Sequence, residues 1–394
     1  MPAQVISVID PPGPDEGDRD LALRLTTAES GIVQASIGAP LRPIRMSCIG
    51  DSISSIPSLW HVWAPLLSGG RIISLPLTVG GVGGNTTTQM LARIASITGA
   101  AIKPDVIVVL GGTNDLGGAV ASATTKANLN AMYDAIEAAG IEPIACLIPP
   151  RDNYANELPP LNTWIASNAY SRSMRVVDMY TSLADPDGTW KSGYSDDGVH
   201  PTTVIGRAMG LLAANEILRN RNVSTVIPWL AQSVADSSNM LTNGVFSGDA
   251  NTDGVADNWT LSGAAAPAIT APSASDIIGN WQSETVSVAG QRYFNQALSG
   301  SISTGDILFV GCRIKMSSIA SGFNISLLLN GWTSILYQLS SGTVSEDDTA
   351  IFSALLNVGA SIPTSFRVLG STTGTGKFEI AQVAVRTLTA LGLA

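Results

Sequence analysis

The stretch Met46-Ser47-Cys48-Ile49-Gly50-Asp51-Ser52-Ile53-Ser54 closes an apolar run that begins at Ile44. Such a run reads as a buried strand. It stops at a glycine, an acid and a serine. A serine at the exposed end of a core strand is well placed as a nucleophile, but its hydroxyl is weak without a base. The chain must therefore also supply a base, a group to orient it, and donors for a negative oxygen.

Working outward, residues 43–222 alternate strand and helix patterns. After 44–49, a second strand is expected at Arg71–Leu77 and a helix at Thr86–Ile97, with Met90, Leu91, Ile94 and Ile97 on one face. Val106–Leu110 is apolar throughout, as in a strand buried on both faces. Ala121–Ala139 reads as a helix stopped by Gly140, and Ile141–Ile148 as a strand closed by Pro149-Pro150. Leu161–Tyr170 is a further helix, Met174–Val177 a short strand, and Thr203–Asn220 a closing helix. Strands separated by helices predict an α/β fold with a parallel sheet covered on both faces. Ligands in such sheets bind beyond the carboxyl ends of the strands.

The flanks differ in character. Residues 1–42 read as an extended arm, with Pro11-Pro12-Gly13-Pro14 followed by Asp15, Glu16, Asp18 and Asp20. Leu21–Leu25 and Ile32–Ile37 could form short strands there, and the arm could anchor the chain to a larger assembly. From residue 223 helix patterns vanish. Short alternating runs appear at Thr285–Val288, Asp306–Val310, Phe323–Leu329 and Phe378–Val385, with turns such as Thr304-Gly305 and Asn330-Gly331 between them. Residues 223–394 are thus expected to form a β-sandwich.

Composition bounds the function. The 394 residues are 45% hydrophobic and 13% charged, which suits packed cores, and 394 is long for one domain. The formal charge of −10 argues against a nucleic-acid partner. Cys48, Cys146 and Cys312 are too sparse for a disulfide framework or a zinc site. Met1–Asp20 lacks the pattern of a secretory signal, and no apolar run approaches the roughly 20 residues of a membrane span. A soluble protein is expected, with extracellular or virion-associated use among the options.

Only two histidines exist. His61 lies among apolar neighbours in Leu59-Trp60-His61-Val62-Trp63 and reads as structural. His200 lies in Asp196-Asp197-Gly198-Val199-His200-Pro201. Asp197, three residues upstream across a glycine, can reach one ring nitrogen, which leaves the other as a general base. Asp196 offers a second carboxylate, and spacing favours Asp197. The run Leu110-Gly111-Gly112-Thr113-Asn114-Asp115 follows a buried strand, so the Asn114 amide can serve as an oxyanion donor. Val79-Gly80-Gly81-Val82-Gly83-Gly84-Asn85-Thr86 leads into a helix, where backbone N–H groups favour negative charge. No Lys-Ser or Lys-Thr follows it, which weakens a phosphate-loop reading.

These residues carry a resemblance. Gly50-Asp51-Ser52, Gly84, Gly112-Thr113-Asn114-Asp115 and Asp197-Gly198-Val199-His200-Pro201 are similar, in order, to the four blocks of the SGNH (GDSL-type) hydrolases. The resemblance covers about residues 44–221. It implies a flavodoxin-like three-layer α/β/α domain that hydrolyses esters without a catalytic cofactor. Ser52 would be the nucleophile, His200 the base and Asp197 its orienter. The oxyanion donors would be the N–H groups of Ser52 and Gly84 and the side chain of Asn114. Ile53 replaces the leucine of the family's name, and Gly83 stands where many members have serine.

Residues 223–394 resemble, more loosely, the jelly-roll carbohydrate-binding modules, from Asn239–Trp259, Arg292–Gln296 and Gly376–Ile380. That resemblance implies sugar-stacking aromatics, for which Trp281, Tyr293, Trp332 and Tyr337 are candidates. Asp249, Asn251, Asp253 and Asp257 look like the start of a calcium loop, although Thr260 stands where a closing glutamate belongs. The expected function is a serine esterase that removes acetyl groups from a polysaccharide. The alternative is an attachment protein of a phage-tail-like assembly.

Overall fold

A computed structural model describes residues 42–56, 59–76, 80–263, 266–286, 290–317, 323–330, 335–340, 350–372 and 375–393. The N-terminal arm and its expected strands lie outside them. Pro43–Ala394 form one compact unit.

Its first half alternates strands and helices. Strand β1 (Ile44–Gly50) is followed by helix α1 (Trp60–Leu66), β2 (Ile72–Ser74), β3 (Gly80–Gly81), α2 (Thr87–Leu91) and α3 (Ile94–Thr98). Then come β4 (Val106–Leu110), α4 (Thr113–Gly117), α5 (Ser122–Ala138), β5 (Glu142–Leu147), α6 (Leu158–Ser171), β6 (Arg175–Asp178) and α7 (Thr203–Leu218). The strands pair in parallel in the order β6-β5-β4-β1-β2, with β3 beside the end of β1. This is the flavodoxin-like α/β/α arrangement. Alternation along β4 explains the three layers. Val106, Val108 and Leu110 pack with Trp60, Met209 and Ala213 on one face. Ile107 and Val109 pack with Met90, Met132, Ile136 and Ile165 on the other.

One expected helix is two. The pattern over Thr86–Ile97 breaks between α2 and α3, where Arg93 takes φ −116° and ψ 4°. The periodicity survives the break, because Met90, Ile94 and Ile97 still share a core.

The second half is all-β. Its strands are β7 (Thr260–Ser262), β8 (Ala266–Thr270), β9 (Trp281–Val286), β10 (Gly290–Ala297) and β11 (Ile307–Ser317). They continue with β12 (Phe323–Asn330), β13 (Ile335–Ser340), β14 (Ile351–Asn357), β15 (Ser365–Thr372) and β16 (Gly376–Thr387). One antiparallel sheet runs β13-β12-β15-β10-β7. The other runs β14-β11-β16-β9-β8 and continues the parallel sheet, because β14 lies against β2 with Ala354 opposite Ser74. The two sheets enclose a core that includes Phe294, Val310, Ile314, Leu327, Phe366, Phe378 and Ile380. Among the described residues no helix is long and apolar enough to cross a membrane.

A carboxylate is buried in this half. Glu284 is 0% exposed, and neither of its oxygens has a hydrogen-bond partner. Burial pushes its pKa up from 4.5 to about 7, against the lowering pull of Arg292, whose Nε lies 3.7 Å away. A raised folded-state pKa favours the protonated fold. Its stability contribution is whole below about pH 4.5 and is lost as pH rises through about 7. We expect Glu284→Gln to gain about 1–2 kcal/mol over the parent at pH 8 and almost nothing at pH 4. Urea unfolding at both pH values checks this. An equal difference at the two would sink it.

Candidate active site

The carboxyl ends of three neighbouring strands build the site. Gly50 pairs with Gly81 on one side and Leu110 on the other. Gly50 must be glycine, since a Cβ there would lie 2.3 Å from Ser54 Oγ and 2.8 Å from the Leu110 carbonyl. The chain then turns sharply at Ser52–Ser54, where Asp51 Oδ1 accepts from the Ile53 N–H at 3.0 Å. The Trp60 indole N–H donates to Ser54 Oγ at 3.3 Å and holds the turn from behind. Asp51 is almost fully buried. Desolvation pushes its carboxyl up to about 6, against the Ile53 N–H and His200, which lower it.

The structure brings Ser52, His200 and Asp197 together. Ser52 Oγ lies 2.7 Å from His200 Nε2, and His200 Nδ1 lies 2.7 Å from Asp197 Oδ2. Asp197 is rigidly held, because its Oδ1 accepts from the N–H groups of Val199 (2.9 Å) and His200 (2.7 Å). Partial burial raises its pKa, but these bonds and the imidazole outweigh that and hold it well below the usual carboxylate range. An ionised Asp197 takes Nδ1–H, which points the lone pair of Nε2 at the serine hydroxyl. Asp196, the other acid considered, is exposed beside it.

His61 lies elsewhere. It is 6% exposed within α1, and its Nδ1 is buried without a hydrogen-bond partner. Burial lowers its pKa to about 4, so the ring is neutral near pH 7. Trp60, Trp63 and Trp190 are buried as well, and so are all three cysteines, which are free thiols.

Two further turns follow the strands paired on either side of Gly50. Asn85 N–H donates to the Val82 carbonyl at 3.2 Å, closing a turn with Gly83 and Gly84 at its tip. Gly84 has φ +77°, which suits glycine at the third position of such a turn. Space beyond it is open, with nothing within 4 Å of a Cβ built there. Asn114 lies in the first turn of α4, and its Nδ2 donates to the Asn85 carbonyl at 3.0 Å. One amide hydrogen therefore fixes the side chain and the second is left for a ligand oxygen. Buried Asp115 accepts from the N–H and the hydroxyl of Thr87, locking α4 to α2.

Sequence reading missed Ser195. Its hydroxyl donates to the His200 carbonyl at 2.7 Å and accepts from the Gly198 N–H at 2.9 Å, so it closes the histidine loop. It also missed Arg151 and Asp152. Arg151 Nη1 donates to the Thr113 carbonyl at 2.7 Å, and Asp152 N–H to the Gly198 carbonyl at 3.0 Å. Only the turn residue Asp152 after Pro149-Pro150 hinted at a loop there.

The remaining candidates scatter. Trp281 is 1% exposed beneath Ile277, so it offers no face to a sugar, which corrects the expectation of a stacking platform. Tyr293 is half-buried with the Arg367 guanidinium 4.7 Å over its ring. Tyr337 lies in β13, while Trp332 is outside the described residues. Asp249 accepts from the N–H groups of Asp253 and Gly254, Asp253 from Val255, and Asp257 from Ala250. The loop uses these oxygens on its own backbone. Among the described residues no group of three or more His, Cys, Asp or Glu could hold a metal ion.

The chain is similar in structure to several solved proteins. A GDSL-like lipase from Bacteroides thetaiotaomicron is 21% identical with a TM-score of 0.37, covering 48% of this chain and 98% of that one. A member of the lipolytic protein G-D-S-L family from Veillonella parvula is 22% identical with a TM-score of 0.39, covering 44% and 98%. A carbohydrate esterase family 3 protein from Talaromyces cellulolyticus is 18% identical with a TM-score of 0.38, covering 45% and 97%. No curated protein matches. Residues 48–205, the span that holds Ser52, Gly84, Asn114, Asp197 and His200, match the model of the GDSL-like Lipase/Acylhydrolase family.

Proposed function

We propose that this protein is a serine ester hydrolase, with Ser52 as nucleophile, His200 as general base and Asp197 as its orienter. The observation that carries the reading is the pair of 2.7 Å contacts running Ser52 Oγ to His200 Nε2 and His200 Nδ1 to Asp197 Oδ2. His200 takes the hydroxyl proton as Oγ bonds to the ester carbonyl carbon. The carbonyl oxygen becomes an oxyanion, received by the Ser52 and Gly84 N–H groups and the Asn114 amide. Collapse expels the alcohol, which leaves with the proton from His200. Water then attacks the acyl-enzyme, giving its proton to His200, and the second collapse frees the acid and returns the proton to Ser52.

For substrate, we propose an acetyl ester on a poly- or oligosaccharide. The support is the joining of an ester-cleaving site to a β-sandwich in one continuous sheet. The test is a panel of p-nitrophenyl acetate, acetylated xylan, acetylated bacterial glycans and long-chain esters. Acetyl esters of sugars should be cleaved with the highest kcat/KM. Preference for long-chain esters would replace this substrate by a lipid while keeping the chemistry.

A further inference from the structure

Arg93 sits in the break between α2 and α3, outside the three groups of the proposed charge relay. Its guanidinium makes three bonds. Nη2 donates to the Gly50 carbonyl at 2.6 Å, at the end of the nucleophile strand. Nη1 donates to the Gly80 carbonyl, at the start of the glycine loop. Nε donates to Asn85 Oδ1 at 3.0 Å, at the end of that loop. The carbonyl of the same Asn85 holds the Asn114 amide at 3.0 Å. One side chain therefore ties the strand before Ser52, both ends of the turn carrying Gly84, and the residue that orients Asn114.

Helix geometry alone does not call for this. A straight helix through Thr86–Ile97 would be satisfied by its own backbone bonds. The chain instead departs from helix at Arg93. The fork of a guanidinium can meet three acceptors in fixed directions, which the point charge of a lysine cannot reproduce.

We infer that Arg93 is the positioning residue of the oxyanion site, holding the donors from Gly84 and Asn114 in register with the nucleophile turn. The inference rests on the esterase reading for its kinetic consequence, and on the bonds alone for its structural one. Without Arg93, the Gly83-Gly84 tip keeps the short β3 pairing, the Val82–Asn85 turn, the Val82 N–H bond to the Gly50 carbonyl and the Asn114 bond to the Asn85 carbonyl, but loses the one side chain that joins Gly50, Gly80 and Asn85. Misplacement of a donor by about 1 Å can cost about 100-fold in rate.

The test compares the full chain with Arg93→Met and Arg93→Lys. Active sites are counted by labelling with a fluorophosphonate, and kcat and KM for p-nitrophenyl acetate are taken per labelled site. Hydrogen exchange is followed in the peptide spanning residues 80–86. For Arg93→Met we expect kcat to fall about 30- to 100-fold with KM within about threefold, and the loop amides to exchange about tenfold faster. Arg93→Lys should recover part of the rate. A general folding defect would instead reduce the number of labelled sites and leave kcat per site at the parental value, and that result overturns the inference. Unchanged exchange in the loop overturns it as well. If the parent neither hydrolyses esters nor takes the label, the esterase reading falls, and the exchange measurement alone decides the role of Arg93.

Discussion

Ser52→Ala should fold like the parent and hydrolyse p-nitrophenyl acetate about 10⁴- to 10⁶-fold more slowly. Removal of one hydroxyl from a half-buried turn residue leaves no large cavity, and the Asp51–Ile53 bond that shapes the turn is kept. His200→Ala should lose about as much, because a serine hydroxyl without its base is a poor nucleophile. The double variant should lose no more than either single one, since the two groups act as a unit. Asp197→Asn should cost about 10³- to 10⁴-fold through the wrong imidazole tautomer. Rates normalised to folded protein decide the matter. A His200→Ala variant with the parental rate would sink the assignment. The only other imidazole, His61, is neutral and enclosed in α1, so no simple exchange of bases would rescue it.

The pairing of Asp197 with His200 was legible in the sequence because it is local. Asp197, Gly198 and His200 lie within one tight loop, and two histidines in the whole chain leave little choice of base. The parallel strands were legible for a similar reason. Runs such as Val106–Leu110 are buried on both faces and need no partner to be recognised. Arg93 was not legible, since its three acceptors come from residues 50, 80 and 85 and only the fold assembles them. Nor was Ser195, one serine among many in a loop.

Trp281 shows a different limit. Alternation along β9 turns Gln282, Glu284 and Val286 toward the sandwich core and Trp281 to the opposite face. A tryptophan opposite the core looks like a surface platform. The segment bearing Ala274 and Ile277 folds over it, and nothing in the local pattern announces that cover. Likewise, the compositional change near residue 223 marks where helices give way to strands. It carries no sign that β14 would extend the sheet begun by β1 and β2, because residues 74 and 354 lie far apart in the chain.

That pairing leads to the second large effect. A chain ended after residue 222 should not yield a cooperatively folded esterase, although it keeps every residue of the proposed charge relay. Trp63 and Leu66 of α1 pack into the sandwich core, and Ile73, Leu75 and Ile102 pack with Val226, Leu230, Phe309, Ile351 and Leu355. All five of these side chains from the first half are buried in the intact protein. Exposing an apolar side chain costs about 1.5–3 kcal/mol, so five cost about 7–15 kcal/mol in full. Trp63 keeps some cover from Gly210 and Arg207, which lowers that sum. Even half of it rivals the about 5–15 kcal/mol that holds a whole domain folded. Polar ties are lost too, since the Gly70 carbonyl accepts from Val226 N–H and the Ile72 carbonyl from the Ser353 hydroxyl. Helix α1 starts six residues after the Ser52–Ser54 turn and is braced to it through Trp60 and Ser54. Loosening α1 therefore loosens Ser52. The expected result is a truncated chain that lacks a sharp thermal transition, binds hydrophobic dyes and retains less than about 1% of the parental kcat/KM. A truncated chain that melts cooperatively and matches the parent on p-nitrophenyl acetate would show instead that residues 43–222 stand alone, with the sandwich only attached to them.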